Sequence, residues 1–312
     1  MNEGGRLSVQ AWSPEYGAPL EADEDVAPGG ASEATINPDV EFPAAAWRPI
    51  RPPAMANRPV AFTDGVRRID ANLVWSTDDG AFHLGLAGSV AAGVVHCDGR
   101  AEITEVALDR VLLLGVPTEA VQTRAARWRY QPLRQAADDP GRLSIELQQT
   151  MADLEVSVAA DAARHAELVV VDGPIRRREG VANAVGHIKS HHHRYLPPSL
   201  APIIGELEAG ERTPLFAIGA PFPRLSWYLR LPGPRQHPWS GVVRHEIPFT
   251  DEHEARRLAD LAAALVPRFA SRPARDPRAP QNLTPISGLE AQLRHRLGDG
   301  MMLYRALRAA LG

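Results

Sequence analysis

The sequence has a single cysteine and no long apolar run. One cysteine, Cys97, cannot form an intramolecular disulfide, which is typical of proteins from a reducing compartment. No run approaches the roughly 20 apolar residues that a membrane-spanning helix needs. The first ten residues lack the basic start and apolar core of a secretory signal. We therefore expect a cytoplasmic protein that does not enter a membrane.

Lysine is almost absent. Lys189 is the only one, and apart from histidine every other basic side chain is an arginine. Such a bias can reflect a GC-rich genome, or it can mark a position where a compact ammonium is required instead of a planar guanidinium. The sequence leaves both explanations open. A glycine-rich phosphate loop of the Walker type is also missing, so ATP hydrolysis would have to come from a partner chain.

The composition is that of a globular protein with a sizeable core. Of 312 residues, 44% are hydrophobic and 23% are charged. The net charge of −4 argues mildly against a nucleic-acid binder. The distribution of charge matters more than the total, because an acidic block lies in the first 57 residues. Two basic clusters, 176–178 and 189–194, lie elsewhere.

The chain divides into an irregular arm, 1–57, rich in Pro, Gly, Ala and acid, and a folded domain, 58–312. Apolar patterning in the domain predicts antiparallel strands, a helix, a buried strand, further strands and a helical tail. This order indicates a mixed α/β sheet with flanking helices, of ribonuclease H-like type. The predicted strands are 58–64, 66–75, 81–96, 106–114, 167–175, 182–189, 214–219, 225–231 and 240–248, and the predicted helices are 143–166, 251–269 and 287–311.

Two segments share one pattern, an apolar strand followed by Asp-Gly: VAFTDG, 60–65, and LVVVDG, 168–173. An aspartate at the end of a buried strand projects from the sheet, and glycine lets the chain turn. Two neighbouring strands would bring Asp64 and Asp172 together, and paired carboxylates suit Mg²⁺ or Mn²⁺. The alternative is two ordinary turns, since Asp-Gly is a common turn dipeptide.

A third carboxylate, Glu155, lies beside the apolar stripe of the helix predicted at 143–166. A charge at the edge of a buried face needs a partner or a metal ion. The alternative is a surface glutamate that buries only its aliphatic carbons and keeps its carboxylate in solvent. Asp161 flanks the same stripe on its other side and competes with Glu155 for this role.

These motifs, together with GHIKS at 186–190, resemble those of the NurA nuclease family. The order is Asp-Gly at a first strand, Glu on a helix, and Asp-Gly after an apolar strand. The resemblance covers about 58–300 and implies a ribonuclease H-like fold. It also implies Mn²⁺- or Mg²⁺-dependent cutting of DNA and work with a HerA-type hexameric ATPase at broken DNA ends.

The resemblance is weaker at the last metal-site position. The family often has Tyr-Pro followed by a histidine, whereas here Thr284 precedes Pro285 and Gln292 falls near the expected histidine. Glu290 and His295 lie nearby and could substitute. We expect Glu290 to take part.

The resemblance assigns roles to individual residues. Asp64, Glu155 and Asp172 would be catalytic and would bind the ions with Glu290, and Lys189 would neutralise the scissile phosphate. DNA, a HerA-type ATPase and a second copy of the chain are the expected partners, in repair or defence. The side chains expected to contact flanking phosphates are Arg176, Arg177, Arg178, His191 and Arg194.

Other clusters have simpler explanations. Histidines 187, 191, 192 and 193 suggest zinc, but no cysteine or carboxylate accompanies them at zinc spacing. Trp227, Tyr228 and Trp239 could stack on unpaired bases or belong to the core. Two other functions also remain open: a catalytically weakened adaptor that docks on an ATPase, and a ribonuclease H-like hydrolase that prefers RNA.

Overall fold

A computed structural model describes residues 5–9, 35–123, 128–133, 139–191 and 193–312. Much of the predicted arm, 10–34, therefore lies outside the described residues, as does His192. Two short strands of the arm do join the sheet. Gly5–Val9 pairs with the strand Val60–Thr77, and Ile36–Asn37 pairs with Phe216–Ile218. The domain boundary at residue 57 stays a prediction.

The described residues form twelve strands and five helices, with short 3-10 turns at Ala44–Ala46 and Val266–Phe269. The strands are β1 (Gly5–Val9), β2 (Ile36–Asn37), β3 (Val60–Thr77), β4 (Phe82–Asp98), β5 (Arg100–Leu114), β6 (Val121–Gln122), β7 (Arg129–Pro132), β8 (Leu168–Asp172), β9 (Ala184–Ile188), β10 (Phe216–Ile218), β11 (Arg224–Arg230) and β12 (Val242–Pro248). The helices are α1 (Pro140–Ala162), α2 (Ile203–Glu206), α3 (Glu252–Leu265), α4 (Thr284–Leu297) and α5 (Gly300–Leu311).

The sheet runs β2-β10-β11-β12-β9-β8-β3-β4-β5-β7-β6. Its centre has the predicted ribonuclease H-like order. β3, β4 and β5 are long antiparallel neighbours, α1 follows, and β8 returns parallel to β3, with β9 parallel to β8. The predicted mixed α/β class with flanking helices is thus confirmed.

Helices cover both faces of this central sheet. On one face α1 packs its apolar stripe, which includes Leu147, Met151 and Val158, on β3, β4 and β5. Asp139 begins α1 by accepting a hydrogen bond from the Arg142 backbone N–H, and Pro140 occupies the first turn. On the other face α3 and α4 close the largest core cluster. The carboxylates that the sequence predicts as metal ligands come from α1, from the sheet and from α4.

Three predicted boundaries are wrong. β3 runs unbroken through Asp64 and Gly65, because β4 pairs with it on both sides of that dipeptide, so the Asp-Gly here does not turn the chain. The predicted tail helix is two helices, interrupted at Gly298, whose φ of 79° is left-handed. The predicted strand 106–114 begins earlier, at Arg100, because Gly99 makes a tight turn directly after β4.

No helix within the described ranges combines the length and the apolar character needed to span a membrane. Cys97 lies in the core, only 7% exposed, and burial raises the pKa of its thiol to about 11. A thiol held protonated at neutral pH is a poor nucleophile, so it serves as a small apolar side chain.

Candidate active site

Two parallel strands place Asp64 and Asp172 side by side. β3 and β8 pair in register from Val60 with Leu168 to Thr63 with Val171, so the two aspartates follow at the same level. Alternate residues of a strand point to the same face. Phe62 and Val170, two residues earlier, both lie in the core beneath α4, so both aspartates start towards that face. Beyond this point β8 ends and β3 continues, which opens the sheet next to Asp64.

Glu155 reaches the same opening from the opposite face. It projects from α1, is 4% exposed, and its carboxyl group lies against the α-carbon of Gly65. A Cβ atom at position 65 would overlap the Glu155 carboxylate and would come within 2.9 Å of its Cδ. Glycine is therefore needed at position 65 because the Glu155 carboxylate packs against its α-carbon, and not because the chain turns there. The competitor Asp161 is more exposed and pairs with Arg164 on the surface.

We expect Gly65→Ala to displace the Glu155 carboxylate and to lower the DNA cleavage implied by the sequence resemblance about a hundredfold, since small misplacements of reacting groups cost this much. The measurement is the initial rate of DNA cleavage with Mn²⁺. Gly288→Ala is the control, because a methyl group there meets open space. An alanine at 65 with full activity would show that Glu155 need not approach β3.

Glu290 completes the group from α4. It is one turn beyond Ser287 in the helix, and its side chain is 28% exposed. It pairs with Arg294 at 2.9 Å, and Arg278 lies at 3.7 Å. His295, the other candidate, is on the last turn of α4.

Three of the four carboxylates have a cation of this chain beside them. The Nζ of Lys189 lies 2.7 Å from Oδ2 of Asp172. Arg178 forms a buried ion pair with Glu155, its side chain 10% exposed against 6% for the glutamate. Glu290 has Arg294. Asp64 accepts a hydrogen bond from the Gly65 backbone N–H at 2.8 Å, and within the described ranges it makes no ion pair.

The electrostatics of Asp64 reflect this arrangement. Burial raises the pKa of Asp64 well above its ordinary value, and the nearby charges of Asp172, Glu155 and Glu290 raise it further. Burial also raises the pKa of Glu155, while the Arg178 guanidinium opposes that rise. The other three carboxylates thus add negative potential at Asp64, and a cation placed there would be stabilised.

The donor set fits a hard divalent cation. All four groups offer oxygen ligands, and Oδ1 of Asp172 is buried with no hydrogen-bond partner. As the side chains stand, however, no three His, Cys, Asp or Glu groups among the described residues are arranged to bind a metal ion. Instead, Glu155 pairs with Arg178 and Asp172 pairs with Lys189. Binding would require these carboxylates to be shared with, or released by, their cations.

The loop after Asp172 is held on both sides, which the sequence did not indicate. The backbone N–H of Gly173 donates to the His187 carbonyl at 3.0 Å, and that of Ile175 donates to Oε1 of Glu246 at 2.9 Å. Glu246 is 1% exposed and also accepts from Arg224 at 2.7 Å. Buried charged residues inside strands give no sequence pattern, so these positioning residues were missed.

The residues predicted to contact flanking phosphates divide into two groups. Arg176 and Arg177 are exposed in the loop after β8, although Arg177 also pairs with Asp153 at 2.9 Å. Arg194 is exposed too, with its guanidinium 5.9 Å from the centre of the Trp239 ring. Arg178 differs from the prediction. It is buried on Glu155 and on the Pro174 carbonyl, 2.9 Å away, because a buried carboxylate requires a cation. In this position it cannot offer its guanidinium to DNA.

His187, His191, Trp227 and Tyr228 have structural contacts, whereas Trp239 is half-buried. His187 is fully buried between His245 and the Gln281 carbonyl, and burial lowers its pKa to about 4. His191 bonds to the Val242 carbonyl at 2.9 Å and packs on the Tyr228 and Trp239 rings, so it differs from the predicted phosphate contact. Trp227 and Tyr228 are 0% exposed, which excludes them as stacking platforms for bases.

Comparison with known proteins gives a likeness in fold. The solved structure of the NurA nuclease from Sulfolobus solfataricus superposes with a TM-score of 0.48 at 11% identity, covering 80% of this chain and 82% of that chain. No protein-family model matches the chain, and no curated protein sequence matches it. The predicted fold class is confirmed by the strand order of the chain itself.

Proposed function

We propose that this chain is a divalent-metal-dependent nuclease that hydrolyses phosphodiester bonds in DNA. The proposal is supported by the register that sets Asp64 and Asp172 at the same level of two paired strands, by Glu155 against Gly65, and by the charge of Glu290, which helps to raise the pKa of Asp64. Four carboxylates in a largely buried place destabilise one another unless a cation lies among them.

The four carboxylates would hold Mn²⁺ or Mg²⁺. When bound, such ions activate water and stabilise the charge on the leaving oxygen. Lys189, fixed on Asp172, would place a compact positive charge beside the scissile phosphate. Water adds to phosphorus, the bond to one sugar oxygen breaks, and that oxygen takes up a proton. Arg176 and Arg194, both exposed, would hold the neighbouring phosphates.

The partners of this activity follow from the resemblance noted in the sequence. We infer action at DNA ends together with a HerA-type hexameric ATPase, and a homodimer as the working form, in a cytoplasmic setting of repair or defence. The chain has no Walker loop of its own, which supports an external source of ATP hydrolysis. Co-purification with such an ATPase and light scattering would test the two associations.

Asp172→Asn is expected to lower Mn²⁺-dependent cleavage of linear DNA at least about a thousandfold, because it removes a ligand charge without changing shape. The assay compares wild type and variant at equal concentration, with Asp153→Asn, an exposed aspartate on α1, as the matched control. Cleavage that survives in the Asp172 variant would exclude the proposed site.

Two other functions make different predictions. A catalytically weakened adaptor is favoured by the altered last motif, with Gln292 near the position where the family often has histidine, and it would bind an ATPase without cutting. A hydrolase that prefers RNA would cut a matched RNA strand faster than the DNA strand. The same assay with both substrates distinguishes the three.

A further inference from the structure

Lys189 is held by two oxygen acceptors and not by one. Its Nζ donates to Oδ2 of Asp172 at 2.7 Å and to Oδ1 of Asn282 at 3.3 Å. Asn282 is 0% exposed and lies just before α4. An ammonium group has three donors, so two fixed contacts orient the third. The direction of that third N–H is therefore set by residues remote from each other in the chain.

The amide of Asn282 can be oriented in only one way. Its Nδ2 donates to Oδ2 of Asp276 at 2.5 Å and to Oγ of Ser287 at 2.7 Å. Both acceptors are on one side, so the amide oxygen faces Lys189. A flipped amide would set its NH₂ against the ammonium and its oxygen against the Asp276 carboxylate, and both contacts would be repulsive.

Asp276 is itself anchored. Its Oδ1 accepts from the Arg278 backbone N–H at 2.8 Å, and its Oδ2 accepts from the Ser287 hydroxyl at 3.1 Å. Ser287 lies in the first turn of α4, three residues before Glu290. The network therefore connects Lys189, which directly follows β9, to α4, the helix that carries Glu290.

A neutral amide suits this place better than a second carboxylate. Asp172 already sets one negative charge beside Lys189, so a neutral acceptor fixes the direction of the ammonium without adding a second one. The positive charge remains available for a substrate phosphate. Asp276 is 8% exposed and acts on the lysine only through the amide.

We propose that Asn282 is a positioning residue that aims the Lys189 ammonium at the substrate phosphate, and that Asp276 fixes the orientation of the Asn282 amide. This inference rests on the proposed nuclease function. Neither residue was singled out by the sequence, because an Asn before a Thr-Pro helix start resembles an ordinary turn.

The experiment uses the fact that Lys189 is the only lysine. Protein labelled with ¹⁵N-lysine gives one side-chain ammonium signal, and its hydrogen exchange with water reports how firmly the group is held. Asn282→Leu keeps the shape and removes the acceptor. We expect exchange to be about fivefold faster, as loss of one hydrogen bond predicts. The turnover rate on DNA should fall about ten- to a hundredfold with little change in KM, as for other outer-shell partners.

A swapped variant keeps the experiment decisive if Asn282→Leu fails to fold. Asp276→Asn with Asn282→Asp preserves the hydrogen-bonded pair and offers Lys189 an acceptor, so its ammonium should exchange as slowly as in wild type. Asn37→Leu, at an exposed position on β2, controls for loss of an asparagine.

Unchanged exchange in Asn282→Leu, or fast exchange in the folded swap variant, would overturn the inference. A rise in KM alone would also overturn it, since it would make Asn282 a DNA contact. A wild-type protein that does not cut DNA would refute the proposed function instead, and the exchange measurement would still report whether Asn282 holds Lys189.

Discussion

Asp64→Asn is expected to abolish DNA cleavage and at the same time to make the folded protein more stable. The carboxylate is buried among three others, so its charge favours metal binding and disfavours the metal-free fold. Removing the charge should raise the free energy of unfolding by about 1–2 kcal/mol at neutral pH, which is the usual size of a single stabilising substitution. The cleavage rate should fall at least about a thousandfold.

The gain in stability should depend on pH in a defined direction. The pKa of Asp64 is higher in the folded chain than in the unfolded chain, so ionisation of this group destabilises the fold as pH rises above the ordinary aspartate value. The variant and the wild type should therefore be similar in stability near about pH 4 and should diverge towards pH 7. Denaturant unfolding without metal ions, at both pH values, measures this.

Asp70→Asn is the matched control for this prediction, on the same strand. Asp70 is 1% exposed and accepts hydrogen bonds from Arg68 at 2.8 Å, from Tyr130 at 2.9 Å and from Ser89. The same substitution there removes a buried carboxylate that accepts several hydrogen bonds, and it should therefore destabilise the protein. Equal effects of the two substitutions on stability would contradict the account of Asp64.

Arg178→Met is expected to lower the free energy of unfolding by about 3–5 kcal/mol in the absence of metal ions, because it leaves the Glu155 carboxylate buried without a cation. Adding Glu155→Gln to it should recover most of the loss, since the pair is then neutral. A saturating concentration of Mn²⁺ should raise the melting temperature more in Arg178→Met than in wild type, because the ion supplies the missing charge.

Arg177→Met provides the comparison for this variant. Arg177 is the preceding residue, and its ion pair with Asp153 is exposed on both sides, so its loss should change stability by less than about 0.5 kcal/mol. If Arg178→Met were equally mild, or if Glu155→Gln gave no recovery, the buried ion pair would not exist in solution.

The sequence predicted the order of elements well because the central strands carry strong local signals. The run of Leu and Val before Asp172 and the stripe of α1 each indicate one kind of element. The continuity of β3 could not be predicted in this way. Asp64-Gly65 resembles a turn, and only the pairing with β4 along the whole strand keeps it extended. Local patterns do not report such long-range pairing.

The same distinction between local and long-range signals applies to the residues of the site. Asp64, Asp172 and Lys189 could be proposed because each follows an apolar strand at a short distance in sequence. Arg178 and Asn282 could not be placed, since their partners are 23 and 93 residues away. Arg178 pairs with Glu155 because that glutamate is buried, and so it is not the phosphate ligand that the sequence predicted. The burial of Glu155 depends on the folded chain and could not be read from local sequence.

The central claim is that Asp64 and Asp172 belong to one divalent-cation site. Calorimetric titration of Mn²⁺ into the wild type and into a variant carrying both Asp64→Asn and Asp172→Asn tests it most directly, with catalysis left aside. We expect saturable binding by the wild type and none at the same concentrations by the double variant, although the double variant remains folded. Equal binding by both proteins, or no binding by the wild type, would contradict the claim.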